Sequence, residues 1–386
     1  MSAEQHARLS ASGAHRWLHC TPSAALEATL PDSTSEYAAE GTLAHAIAEL
    51  RLRKQYTEPM GPQKFKKALD KLKADKLYQS EMDGHIGTYY DYIASVTHSF
   101  PAAPWVGVEK RLDFGDWVPD GFGTGDCLII GGDVMHVVDL KYGKGVPVSA
   151  ENNPQMMLYG LGAWAAYSLL YNIQRVVLTI VQPRLDSIST WEISINELLA
   201  WGDSIKPIAQ QAHAGAGEYS PGDHCRFCRA KTTCRARAEH YLALDYQYQQ
   251  TKPALLSNVE IGSILPRAEG LDTWYGELKT FALDEVLAGR DIPGYKAVEG
   301  RRVRVITDFD AAIGTLAVAG YDRELFYKRV AVAMGEIEKT LGKAKFAELL
   351  APYIVTPPGK PTLVPVTDKR DPYTRSTVET DYPPQP

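Results

Sequence analysis

The 386-residue chain is 45% hydrophobic, 23% charged and 10% aromatic, a globular composition that excludes disorder throughout and suffices for one large domain or two smaller ones. Lys+Arg 41 against Asp+Glu 47 gives a net charge of -6, so no global positive field draws the protein to nucleic acid or an anionic membrane. A nucleic-acid role therefore requires locally clustered cations. The five cysteines, at 20, 127, 225, 228 and 234, are too sparse for a secreted disulfide scaffold, so their spacing carries the information.

In chain order, the N-terminus lacks an apolar signal core, and residues 13–30 read as a short helix bearing Trp17 and Cys20. A second helix starts near Thr42 and runs through His45 and Glu49 to about Lys54. Segment 64–76 holds six lysines and two aspartates, so a helix there has a strongly cationic surface. Lys64 and Lys67 are candidate phosphate contacts on it, against the plainer reading of a solvated face. Strands are expected at 105–112, 124–130 and 134–141, the last two joined at Gly131-Gly132, a strong hairpin signal. Apolar residues on both faces of that hairpin imply a sheet covered on both sides.

The uncharged stretch from Asn152 to Gln174 has an apolar part shorter than the roughly 20 residues of a membrane span. It reads as a buried helix over 155–171, and the β-rich run at 175–183 makes strand, helix, strand, the pattern of a crossover in an α/β sheet. A mainly helical stretch, the cysteine triplet and helices near 229–248 and 266–289 follow. Beyond 290 come a short β pair around residues 296–306 and helices near 308–319, 323–332 and 335–351. Eight of the 24 prolines fall in the last 30 residues, which predicts an extended or disordered tail from Pro357. The expected division is a core over 1–250, a mainly helical lobe over 251–356 and a tail over 357–386.

Asp139 and Lys141 are two apart on one strand and share a face. A two-residue Gly131-Gly132 turn pairs Ile130 with Asp133 and puts Asp126 opposite Val137, on that same face. Asp126 is then diagonal to Asp139 at roughly 7 to 8 Å, a gap two carboxylates bridge through one divalent cation. A four-residue loop keeps this parity and a three-residue loop destroys it. Hard oxygen ligands favour magnesium or manganese, and two buried aspartates without a cation would repel and take up a proton. Lys141 is placed to orient or help deprotonate a water, or to stabilise a pentavalent phosphate. The plainer alternative is an Asp–Lys ion pair in an ordinary hairpin. Gln155 and Tyr159, at i and i+4, share a helix face that could reach the phosphate, and His45 with Glu49 has the same relation. Imidazole as a third ligand suits manganese better than magnesium.

Cys225, Cys228 and Cys234 form C-x2-C-x5-C, with Cys20 as the remote partner and Cys127 assigned to the core. Four thiolates make a structural zinc site or an iron-sulfur cluster, and local spacing leaves both open. Five cations and no acids lie between Arg226 and Arg237, so Arg226, Arg229 and Lys231 form a second candidate nucleic-acid patch.

Taken in order, Cys20, His45 in GTLAHAIAE, Asp126 in GTGD, Asp139 and Lys141 in VVDLKYGKG, the Gln155 to Tyr159 helix and the cysteine triplet resemble the RecB-like branch of the PD-(D/E)XK nuclease superfamily. The likeness is to its iron-sulfur members, such as the CRISPR-associated exonucleases, and covers residues 10 to about 240. The region after 250, with KAVEGRRVRV and GKPTLVPVTDKRD, looks like a phage and prophage family that carries this core. The resemblance implies a restriction-endonuclease-like α/β core, a central mixed sheet flanked by helices, followed by the helical lobe. It implies a metal-dependent DNA exonuclease with His45, Asp126 and Asp139 holding Mg2+ or Mn2+, Lys141 as the catalytic lysine, and Gln155 and Tyr159 beside it. It further implies a 4Fe-4S cluster on Cys20, Cys225, Cys228 and Cys234. The expected substrate is single-stranded DNA ends in phage recombination or end processing, in the host cytoplasm, with a phage recombinase or single-strand-binding protein as partner. No membrane partner is expected, and oligomerisation stays open. The rival reading is a DNA-end-binding or assembly factor that keeps the nuclease fold.

Overall fold

A computed structural model of the chain describes residues 7–31, 36–249, 257–298, 306–327, 332, 334–354 and 368. The chain divides into two compact units, Met1–Ala297 and Val298–Pro386. The boundary expected at 250/251 lies outside the described residues, as do most of the β pair around 296–306 and of the tail from 357. The observed division falls near 297.

In the first unit, helices α1 (Ala14–His19) and α2 (Ser23–Ala28) replace the single helix expected over 13–30. The break falls at Cys20-Thr21-Pro22, where the proline biases the preceding residue away from helical dihedrals. Next come α3 (Glu36–Leu52), which starts earlier than expected, α4 (Pro62–Lys73) and α5 (Glu81–Ser99). Strands β1 (Trp105–Asp113), β2 (Phe122–Gly131) and β3 (Val134–Leu140) lead to α6 (Pro154–Tyr167). Then follow β4 (Arg175–Gln182), β5 (Ser187–Ser194), α7 (Ile195–His213), α8 (Arg235–Gln249), α9 (Asn258–Ala268) and α10 (Leu271–Leu287).

The five strands form one mixed sheet in the order β1-β2-β3-β4-β5. All neighbours are antiparallel except β3 and β4, which run parallel and are joined by the α6 crossover. Sequence reading found this crossover but not β5. That strand is rich in serine and threonine, and its alternating exposure suits an edge with one solvated face rather than an apolar run. Both faces of the hairpin are covered, as its apolar pattern requires. On one face Leu128, Ile130, Met135 and Val137 pack with Trp17, Leu158 and Leu161, and with Leu198 and Ile205 of α7. On the other, Cys127, Ile129, Val138 and Leu140 pack with Ala44 and Ile47 of α3 and Met82, Ile86 and Tyr89 of α5. Cys127 is thus a core residue.

The pair α9–α10 belongs to the first unit because Glu277 of α10 pairs with Lys231 (2.6 Å) and Arg237 (2.8 Å), and Trp274 stacks on Tyr241. The second unit contains α11 (Phe309–Val318), α12 (Met334–Leu341) and α13 (Lys343–Leu350). In the described part of the helix expected over 323–332 the chain makes a 3-10 turn, Arg323–Phe326, followed by extended Tyr327, and 328–331 lie outside the described residues. The helix expected over 335–351 splits at Gly342, whose φ of 78° is left-handed and breaks the helical path. Among the described residues no helix is long and apolar enough to cross a membrane. The uncharged stretch is α6, whose residues from Met156 to Ala163 are all buried in the core.

Candidate functional site

The β2–β3 hairpin turns at Gly132-Asp133, one position later than expected, with Gly131 still paired to Val134. Gly132 takes φ 59°, and Asp133 anchors the turn by accepting from the Gln174 and Arg175 backbone N–H groups. The correction is a shift of two in pairing sum, so the face is preserved but the partner changes. Cys127 pairs with Val138, the last pair of the ladder, so the register runs on toward Asp139, not Val137, as the residue across from Asp126. Beyond that point the Leu140 N–H donates to the Asp126 carboxylate (2.7 Å) instead of to a strand carbonyl.

Asp139, Lys141, Gln155 and Tyr159 form one connected group. Asp139 is buried one residue before the end of β3, and Lys141 Nζ lies 3.1 Å from its Oδ2. Lys141 donates to Gln155 Oε1 (2.9 Å), while Gln155 Nε2 reaches Asp139 Oδ1 and the Tyr159 hydroxyl, both at 3.3 Å. Gln155 is aimed there because Asn153 caps α6, accepting from the Gln155 and Met156 N–H groups with Pro154 at the first helical position. His45 arrives from α3, on the opposite layer, and its Nδ1 lies 3.4 Å from Asp126 Oδ1. The site thus sits at the carboxyl end of β3, where the two helical layers meet over the strand end. Glu49, the i+4 neighbour of His45, pairs with Arg53 (2.7 Å).

One residue of this centre was missed by sequence reading. Ligand atoms of His45, Glu109 and Asp126 lie within 4.8 Å of one another. Glu109 is in β1, between the pairs Val108–Cys127 and Lys110–Gly125, and so stands across from Asp126. Its φ of 48° is left-handed, a conformation costing about 1–3 kcal/mol for a residue with a side chain and concentrated at functional sites. Only the β1–β2 register could have flagged it, and the long connection between those strands hides that register from counting.

The electrostatics fit a cation. Burial pushes the Glu109 pKa up to about 8, with the Asp126 and Glu49 charges adding to it. Burial also raises Asp139, with Asp126 adding and Lys141 and His45 opposing. For His45, burial disfavours the charge, but the Asp126, Asp139 and Glu109 carboxylates outweigh it and raise the pKa to about 9. Burial lifts the Tyr159 hydroxyl well above its usual range. The buried Tyr89 hydroxyl makes no hydrogen bond, and the buried Asp139 Oδ2 has the Lys141 ammonium at 3.1 Å as its partner. Two carboxylates and an imidazole within 4.8 Å of one another, with the Asp139 carboxylate adjoining them, are a donor set for a hard divalent cation.

The four cysteines expected to act together line one cavity, with Arg16, Tyr219, His224 and Lys231. Cys20 ends α1, Cys225 lies in the 3-10 turn Asp223–Phe227, Cys228 follows that turn and Cys234 immediately precedes α8. All are free thiols, and burial pushes Cys228 up to about 11. Among the described residues no three of these sulfurs lie within 4.8 Å of one another. Chain segments two hundred residues apart are held together here by the Arg229 N–H to Glu27 (2.8 Å) and Arg16 to the Phe227 carbonyl (3.3 Å), with Arg16 and Glu27 paired to each other (2.6 Å).

The two cationic patches differ. Lys231 is bound to Glu277 and to the Arg226 carbonyl, and Arg229 reaches the Leu30 carbonyl (3.2 Å), while the Arg226 guanidinium lies 5.8 Å from the Phe227 ring centre. Lys64 and Lys67 on α4 are exposed.

A family profile described as "Protein of unknown function (DUF2800)" matches residues 6–371. The chain belongs to this family. The DUF2800 match spans the metal-type centre, the cysteine cavity and most of the second unit. A solved structure described as "Crystal structure of SSO0001" aligns with 56% of this chain and 95% of its own at 15% identity, with a TM-score of 0.24. A likeness of that size carries no argument about this protein.

Proposed function

We propose that the protein is a metal-dependent DNA exonuclease of the PD-(D/E)XK type, hydrolysing phosphodiester bonds at single-stranded ends in phage recombination or end processing. The observation that carries this reading is that the His45–Glu109–Asp126 group and the Asp139–Lys141 pair adjoin at the end of β3, where Asp126 accepts from the Leu140 N–H. Asp126, Asp139, His45 and Glu109 would hold Mg2+ or Mn2+, which supplies Lewis-acid polarisation of the phosphate when bound. Lys141 presents its ammonium to the charge that develops on the phosphate oxygens. Gln155 fixes that ammonium by accepting from it at 2.9 Å, and Tyr159 in turn fixes Gln155. Hydrolysis joins a water oxygen to phosphorus and breaks the bridging P–O bond, and the departing oxygen leaves with a proton.

Cys20, Cys225, Cys228 and Cys234 are the ligand set for a 4Fe-4S cluster. What supports this reading is that the four thiols, from chain segments two hundred residues apart, line one cavity. Anaerobic iron and sulfide loading should give a brown protein with broad absorbance near ~400 nm. A colourless protein with one equivalent of zinc would reject the assignment.

The activity test is digestion of 5′- and 3′-labelled single strands with Mg2+ or Mn2+, comparing wild type with Asp139→Ala and Lys141→Ala. Cleavage by wild type alone is expected. If all three retard DNA and none cuts it, the protein is an end-binding factor and the enzyme reading fails.

A further inference from the structure

We infer that the outer face of α4, with Lys54 beside it, is the track along which the nucleic-acid backbone approaches the site at the end of β3. The inference rests on the nuclease reading and deepens it by assigning a substrate-binding surface.

Lys64, Lys67 and Lys71 are spaced i, i+3 and i+7, so they form one stripe along the helix, and all three are exposed. None of them, nor exposed Lys66, has a carboxylate within ion-pair distance among the described residues. By contrast Lys73, on another side of the same helix, pairs with Asp83. The apolar face of α4 is already used, since Leu69 and Leu72 pack on the core shared with α3 and α5. A basic helix binding a membrane surface would need that face free. What remains is a row of uncompensated ammonium groups on a protein of net charge -6, which suits a polyanion with regularly spaced charges.

Lys54 links the stripe to the helix that carries His45. Lys54 is exposed and its ammonium lies 4.1 Å from the Phe65 ring centre, which joins the end of α3 to α4. His45 is on α3 itself, nine residues before Lys54, or roughly 13 Å along a helix axis. Lys64 to Lys71 spans about 10 Å along α4, long enough to meet more than one backbone phosphate. The cysteine-loop cations offer no such row, because Lys231 and Arg237 are held by Glu277.

The test is anisotropy titration of a 20-nucleotide fluorescent oligothymidylate with the full chain, in Ca2+, between 50 and 200 mM salt. The triple variant Lys64→Gln/Lys67→Gln/Lys71→Gln should lower the slope of log affinity against log salt by about 2, at ~0.7 per single-strand phosphate contact. Wild type then loses about twentyfold more affinity than the variant across that range. Exposed changes of this kind shift stability by within about 0.5 kcal/mol, so a thermal melt checks that the variant is folded. A control of equal charge change on other elements, Lys206→Gln/Lys279→Gln/Lys296→Gln, should keep the wild-type slope. An unchanged slope in the α4 variant overturns the track while leaving the nuclease reading to the labelled-strand digestion. Binding of polyglutamate through the stripe, with none of the oligonucleotide, overturns the track in favour of an acidic protein partner. Wild type that neither binds nor cuts the strand overturns both.

Discussion

Cation binding at the His45–Glu109–Asp126 centre should expel protons, and their number follows from the geometry. His45, raised to about 9 by three carboxylates, and Glu109, raised to about 8 mainly by burial, both hold protons at neutral pH in the cation-free protein. Ligation requires both to be deprotonated. At pH 7 a group of pKa 9 is about 99% protonated and one of pKa 8 about 90%, so binding should release nearly 2 protons. At pH 9 the same groups yield about 0.6. The apparent affinity for Mn2+ should therefore climb by nearly two log units per pH unit near pH 7 and by only about 0.6 per unit at pH 9. Titration calorimetry with Mn2+ in buffers of different ionisation enthalpy reads the proton count directly. Glu109→Gln should cut the release at pH 7 to about 1, because only His45 then loses a proton. Release below about half a proton at pH 7, with no pH dependence, would refute the reasoning, since ligands already bare cannot be the buried and charge-coupled groups described above.

Other consequences follow from the same structure. In chelator, the folded pKa values of His45 and Glu109 lie above their ordinary 6.5 and 4.5, so their contribution is present at low pH and lost as pH rises toward 9. The chelated protein's melting temperature should fall between pH 6.5 and 9, and saturating Mn2+ should flatten that fall; a chelated protein that gains stability over this range contradicts the assignment. A β-carbon at Gly123 would lie 2.8 Å from the Tyr159 ring, so Gly123→Ala should displace Tyr159 from Gln155. The expected cost is about 1–2 kcal/mol of stability and about tenfold in cleavage rate, read by urea melts and labelled-strand digestion. Glu277→Ala strips the partner from Lys231 and from Arg237, whose side chain is only 7% exposed, and should cost about 2–3 kcal/mol. Limited proteolysis should then cut first near α9–α10; wild-type stability and digestion pattern would show that Glu277 does not dock that hairpin.

The parts of the site that were legible in the sequence are those fixed by short-range geometry. Asp139 and Lys141 share a face whatever the turn, and Gln155 and Tyr159 share one by helical spacing. The parity of Asp126 survived because the turn moved by one residue at each end, from Gly131-Gly132 to Gly132-Asp133, which changes the pairing sum by two. The partner did not survive, because two adjacent glycines give no signal for which one takes the left-handed turn position, whereas the Asp133 carbonyl's bonds to the β4 entrance decide it. Glu109 was illegible for a related reason: its place opposite Asp126 depends on a register set across residues 114–121, where no two-residue turn pins the count. Likewise β5 hid because an edge strand needs no apolar alternation on its open face, and the single helix expected over 13–30 is divided by Pro22 next to the cysteine that must leave the helix to reach the triplet. The same logic explains why the two cationic runs read alike as sequence and differ in the fold. Glu277, forty residues beyond Arg237, takes up Lys231 and Arg237 of the cysteine loop, and nothing comparable reaches Lys64, Lys67 or Lys71 among the described residues. Long-range partners, which sequence spacing does not encode, decide which charges remain for a ligand.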